Sequence, residues 1–150
     1  SEVFKIFAAP YSAELVQTCL ASAGIIDFIN KDTKLTSIIN QLSQKYFLFI
    51  ISGSTRAFAV AKLKKIGIEY KLFKFSLFED DKKFIPKTSP DNFQYLLTKS
   101  AYLPHEHVYI GDNPTTDIDI PKSLGFRTIA VNSSYPKAEF SINHINQLKK

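Results

Sequence analysis

HVYIGDNPTTDIDIPKSLGFRTIAV, residues 107–131, sets an apolar run, Val108-Tyr109-Ile110, directly against Gly111-Asp112, with a second acid at Asp117. The apolar run predicts a strand, the segment from Thr115 to Gly125 a helix, and the segment from Phe126 to Val131 a second strand. Two carboxylates at the mouth of a buried strand are costly to desolvate unless a positive charge stands beside them. The stretch therefore predicts a strand–helix–strand unit with a charged working end, and it demands a cation from elsewhere in the chain.

The same alternation runs outward from there. VFKIFAA (residues 3–9) is a short apolar, strand-like run, and SAELVQTCLASAG (residues 12–24) has helical spacing with Ser12 at the cap position and Gly24 as the stop. DTKLTSIINQLSQK (residues 32–45) repeats that logic, with Leu35, Ile38, Ile39 and Leu42 on one face. YFLFIIS (residues 46–52) is continuously apolar, as expected of a strand covered on both faces. STRAFAVAKLKKIG (residues 54–67) predicts a helix closed by Gly67, and YKLFKFS (residues 70–76) a strand. SPDNFQYLLTKSAY (residues 89–102) predicts a helix with Pro90 in its first turn and Ser89 as cap, and SINHINQLKK (residues 141–150) a terminal helix. Apolar strands alternating with amphipathic helices predict an α/β fold. The expected form is a three-layer, doubly wound, Rossmann-like parallel sheet of about five strands, without a large cap, in one domain over residues 1–150.

Composition narrows the function classes. The single cysteine, Cys19, excludes an internal disulfide and suits a reducing, cytoplasmic setting, where it reads as a buried thiol. No apolar run is long enough to span a bilayer, and the opening residues are too short and too weakly basic for a signal peptide. The net charge of +5 comes from scattered lysines. A basic balance can attract phosphate, nucleic acid or anionic membrane, but no zinc-finger, RNP-like or helix-turn-helix pattern accompanies it. Neither nucleic acid nor membrane is an expected partner. His105 and His107, at the start of a strand, are read as a chance pair rather than a metal site.

In parallel α/β sheets the working residues gather at the carboxyl ends of strands. Ser52 ends one apolar run, Gly53 permits close backbone approach, and the amides of Ser54 and Thr55 are expected at a helix N-terminus, where anions bind. An ordinary helix cap by Ser52 or Ser54 explains the same residues equally well. Lys87, in FIPKTSPDNF, precedes another helix. Either Lys87 or a bound Mg²⁺ meets the demand of Asp112 and Asp117 for positive charge.

Together these residues resemble the haloacid dehalogenase superfamily of phosphohydrolases. FLFIIS with Ser52 resembles its second motif, KTSPDNF (residues 87–93) its third, and YIGDNPTTDI (residues 109–118) its fourth, in the family's order. The resemblance implies that Ser52 and Lys87 hold a phosphoryl group, with Gly53 beside it. It further implies that Asp112 binds Mg²⁺ and that Asp117 assists. It also implies a two-step transfer through an aspartyl-phosphate.

The family's first motif, a nucleophilic Asp with an acid/base Asp two positions on, has no counterpart before Ser52. Glu2, Glu14, Asp27 and Asp32 are the acids there, and none carries such a partner after an apolar strand. One expectation is degeneration: residues 3–9 are the first-motif strand, with Ala8, Pro10 and Ser12 at the motif's positions. The other is that the motif lies upstream of this chain. Three functions then compete. They are a Mg²⁺-dependent phosphatase of small phosphorylated metabolites, inactive or incomplete as this chain; a non-catalytic module that binds or assembles with a protein partner; and a phosphate-binding regulator.

Overall fold

The computed structural model of the chain describes residues 24–148. The run at residues 3–9 and nearly all of the helix expected at residues 12–24 lie outside that range, as do Ala8, Pro10, Ser12 and Cys19. Gly24, at φ 66°, turns the chain into a 3-10 segment, Ile25–Phe28. Asp32 caps helix α1 (Thr33–Ser43), its carboxylate accepting from the Leu35 amide at 2.8 Å. Strand β1 (Leu48–Ser52) leads to helix α2 (Arg56–Ile66), which stops at Gly67 with φ 99°. A 3-10 turn, Tyr70–Leu72, precedes β2 (Phe73–Phe78). Helix α3 (Asp91–Lys99), β3 (Val108–Gly111), helix α4 (Ile120–Ser123), β4 (Arg127–Val131) and β5 (Phe140–Ile142) follow.

The α/β architecture is present, and the strand pairs are parallel. β1 runs beside β2 with Ser52 opposite Phe78, β3 beside β4 with Gly111 opposite Ala130, and β4 beside β5. Among the described residues these form two hydrogen-bonded groups, β1-β2 and β3-β4-β5. Helix α3 packs across the seam. Phe93, fully buried, stands edge-on to Tyr109 (4.9 Å between centroids) and Phe126 (5.7 Å), in one core with Ile51 and Leu77 of the other group. Burying a phenylalanine contributes about 1.5–3 kcal/mol, so α3 is a principal tie between the groups. A second tie is polar: the Tyr109 hydroxyl donates to the Ile51 carbonyl at 3.3 Å.

Two expectations change. The helix expected over residues 141–150 is absent among the described residues, 141–148. Phe140 and Ile142 pair with Ile129 and Val131 on the edge of β4, which satisfies backbone groups at once. A 3-10 turn, Ile145–Gln147, follows, with the Gln147 side chain accepting from the Asn143 and His144 amides. The helix expected from Thr115 opens instead as a wider π turn, Pro114–Asp119, and only then becomes α4. Pro121 has no N–H to return to the carbonyl of residue 117, so regular α winding fails there.

His107 is buried in the core against Phe126, with Nδ1 donating to the Leu103 carbonyl (2.9 Å) and Nε2 paired with the Ser100 hydroxyl (2.8 Å). Both ring nitrogens are thus engaged in packing the strand start. Among the described residues no helix is long and apolar enough to cross a membrane.

Candidate functional site

Asp117 sits in the π turn with its side chain only 8% exposed, and Lys87 reaches it from the loop before α3. The Lys87 ammonium donates to Asp117 Oδ1. The Thr116 hydroxyl adds a bond to Oδ1 and the Asn113 amide one to Oδ2, both at 3.2 Å. Burial works against the Lys87 ammonium, but Tyr109 and Asp117 outweigh it and hold its pKa above the ordinary lysine value. Tyr109 forms one wall, its ring centroid 5.5 Å from the ammonium, and burial raises its phenol. Gly111 makes room for this arrangement, since a Cβ there would lie 2.5 Å from Asp117 Oδ2. Asp112, one residue on, is exposed and joins none of the ion pairs formed among the described residues.

The Ser52 end is organised differently. Ser52 Oγ accepts from the Ser54 amide at 3.1 Å, so it shapes its own loop and caps no helix. Thr55 holds the cap position of α2 without a side-chain cap bond, and the Arg56 amide is met instead by Asp80 at 2.8 Å. The Arg56 guanidinium grips both oxygens of Asp81 at 2.8 Å and stacks on Phe78, 4.7 Å from the ring centroid. The turn after β2 is thereby held beside the turn after β1, and the Glu79 amide donates to the Ser54 carbonyl at 3.2 Å. Gly53 is exposed, and a Cβ built on it would meet nothing within 4 Å. Its φ is not in the left-handed region, so the absent side chain leaves open approach rather than relieving strain.

A family model for haloacid dehalogenase-like hydrolases matches residues 14–131. The chain belongs to that family. No curated protein sequence matches it. Among solved structures, a HAD phosphatase from Thermococcus onnurineus is 23% identical with a TM-score of 0.69, over 94% of this chain and 64% of that one. A β-phosphoglucomutase from Clostridium difficile is 22% identical with a TM-score of 0.64, over 84% of this chain and 57% of that one. YfnB of Bacillus subtilis, classed with the HAD hydrolases and bound to magnesium, is 22% identical with a TM-score of 0.64, over 74% and 50%. The chain thus spans 50 to 64% of the length of these three proteins. At such identities the likeness concerns the fold, and a phosphatase and a mutase share it.

Within this haloacid dehalogenase-like fold, the sequence-selected residues divide. Lys87 and Asp117 touch, Asp112 lies beside them on the chain, and Ser52 and Gly53 stand at the end of the other strand group, linked through Ile51 and Tyr109. Among the described residues no three His, Cys, Asp or Glu side chains cluster as a metal cage. The donor set still fits Mg²⁺, which takes one or two carboxylates and completes its shell with water and phosphate oxygens. Asp112 is the exposed carboxylate of the right kind, whereas Asp117 already receives three donors. Tyr109, Arg56, Asp80, Asp81 and Asn92 escaped the sequence reading. The run Glu79-Asp80-Asp81 after an apolar strand was the one available signal, because acids at a strand end seek a cation.

Proposed function

We propose that this chain carries the phosphate- and magnesium-binding part of a phosphomonoesterase-type site, and does not hydrolyse phosphomonoesters by itself. The supporting observation is the contrast between its two acids. Asp117 is engaged by Lys87, while Asp112 stands exposed at the strand end. In this reading the Ser52 hydroxyl donates to a phosphoryl oxygen, and Gly53 leaves the approach clear. An ammonium has three N–H donors, so Lys87 can hold Asp117 and still meet the phosphoryl group. Asp112, with Asp117 behind it, would hold Mg²⁺, which when bound neutralises phosphoryl charge. What supports the lack of turnover by this chain is that no aspartate pair of the first-motif kind stands before Ser52. If residues 3–9 are that strand, Ala8 and Pro10 can neither attack phosphorus nor move a proton. The ligand is then a small phosphorylated metabolite.

A second reading is a non-catalytic module with a protein partner. It draws on exposed apolar residues near the strand starts. The rings of Phe47 and Tyr102 meet at a tilt of 50° with centroids 5.5 Å apart, and Leu103 and Val108 are also exposed.

The test is phosphomonoester hydrolysis with and without Mg²⁺, beside NMR titration with inorganic phosphate and with Mg²⁺. The expected result is no turnover, phosphate shifts at Ser52, Gly53 and Lys87, and Mg²⁺ shifts at Asp112 that Asp112→Asn abolishes. Turnover lost in Asp112→Asn would overturn the inactivity. Absence of both sets of shifts would favour the protein-binding module.

A further inference from the structure

We infer that Asn92 is a positioning residue for Lys87, acting through the backbone of Ile85. The functional weight of this inference rests on the reading of Lys87 as a phosphate-facing cation; the placement itself does not.

The segment between β2 and α3 has no regular structure, so its backbone groups must find partners individually. Turn bonds serve part of it: Asp81 N–H to Phe78 O, Phe84 N–H to Asp81 O, and Ser89 N–H to Pro86 O, each 2.9 Å. Ile85 lies between these turns and is 41% exposed, so packing holds it only weakly. Its N–H donates to Asn92 Oδ1 at 2.9 Å, and its carbonyl accepts from Asn92 Nδ2 at 2.5 Å. A side-chain amide presents one donor and one acceptor in the spacing of a neighbouring strand, and so closes both groups at once.

The anchor is firm because Asn92 is completely buried and adjoins Phe93, which is locked in the core. Leaving either amide atom unmatched at such depth is costly. The anchor is also short. Pro86 fixes its own φ, so the direction set at Ile85 passes to Lys87 two residues on. Lys87 is thus suspended between the Ile85 clamp and the Pro86–Ser89 turn, with its ammonium delivered to Asp117.

A purely structural asparagine and a positioning one differ in what their loss moves. Asn92→Asp supplies the distinction. A carboxyl at this place accepts from the Ile85 N–H in either state, but it donates to the Ile85 carbonyl only when protonated. The readout is water exchange of the Lys87 ammonium protons by ¹⁵N NMR, assigned by their loss in Lys87→Arg. Amide exchange in β1 is followed in parallel as the measure of overall opening, and the wild type is measured at each pH.

The expected result in Asn92→Asp at neutral pH is ammonium exchange about tenfold faster, the factor that one lost hydrogen bond corresponds to. The β1 amides stay unchanged, and the slow exchange returns on mild acidification. Unchanged Lys87 exchange overturns the inference. So does acceleration of Lys87 and the β1 amides together, which marks Asn92 as structural alone. Should Asn92→Asp not fold, Asn92→Ser, whose smaller side chain admits water, carries the same comparison without acid restoration. Titration of the wild type with inorganic phosphate separates the two ideas. A held Lys87 that phosphate does not perturb removes the phosphate-site reading and leaves the positioning intact.

Discussion

The carboxyl ends of the two strand groups handle charge in opposite ways. At the end of β3, Asp117 is taken into the protein and answered on the spot by Lys87, Thr116 and Asn113. At the end of β1, Ser52 and Gly53 stay partly or fully open, and the acids that steady their loop, Asp80 and Asp81, come from the turn after β2 and answer Arg56. One end is preorganised by a partly buried ion pair, in which each partner needs the other. The other end is steadied by a more exposed pair and keeps Ser52 and Gly53 open. Fixed charges do not have to reorganise when a ligand arrives, so under the proposed reading the Lys87 end would meet a phosphoryl group ready-made while the Ser52 end leaves room for it.

The contrast can be broken most severely at Gly111. Gly111→Ala must push Asp117 out of place and part it from Lys87, adding overpacking to a lost pair. A loss of about 4 kcal/mol in urea unfolding is expected. A neutral result would mean that Asp117 has room to move. Lys87→Met breaks the pair from the other side and leaves a carboxylate without its cation. The expected cost is about 3 kcal/mol, at the low end for buried pairs because Lys87 keeps 20% exposure.

The same pair has a pH signature. The Lys87 pKa is raised in the folded chain, so its stabilisation is complete below the ordinary lysine value of 10.5 and is lost as pH rises through the higher folded value. Stability measured across the alkaline range should therefore fall more steeply in the wild type than in Lys87→Met. Parallel curves would show that the ammonium gains nothing from its site.

At the other end the effects are smaller. Arg56→Ala is expected to cost about 1 kcal/mol, because the guanidinium is 40% exposed and water screens the pair. Burial pushes the Asp81 carboxyl up, but its bonds from Arg56 and the Phe78 amide prevail and leave its pKa below 3.8. Its contribution is present above that value and fades as pH falls through the lower folded one, so acid titration should weaken the wild type more than Arg56→Ala. Smallest of all, Lys71→Ala removes an exposed pair with Glu69 and should leave the urea midpoint unmoved.

Much of the fold was readable in residue pattern. The apolar run through Ile51 and the glycine stop at Gly67 announce β1 and α2, because period and backbone freedom are local properties. The demand of Asp112 and Asp117 for a cation, and Lys87 as a candidate, could also be read from charge alone. Other features were hidden. A strand in place of a terminal helix depended on the edge of β4, and the π turn on how Pro121 meets the carbonyl before it. Asn92 reads as an ordinary polar residue near a helix start until the Ile85 backbone is brought against it.

The sequence by itself determined the alternation of elements, the residues able to carry charge at strand ends, and the absence of a first-motif aspartate pair before Ser52. Only the tertiary structure decided which acid Lys87 serves, that Asp112 stays exposed, and that Asp80 rather than Ser52 meets the first amide of α2. Spacing along a chain governs period and propensity. An ion pair between residues thirty positions apart depends on which backbone groups and buried surfaces are brought together between them.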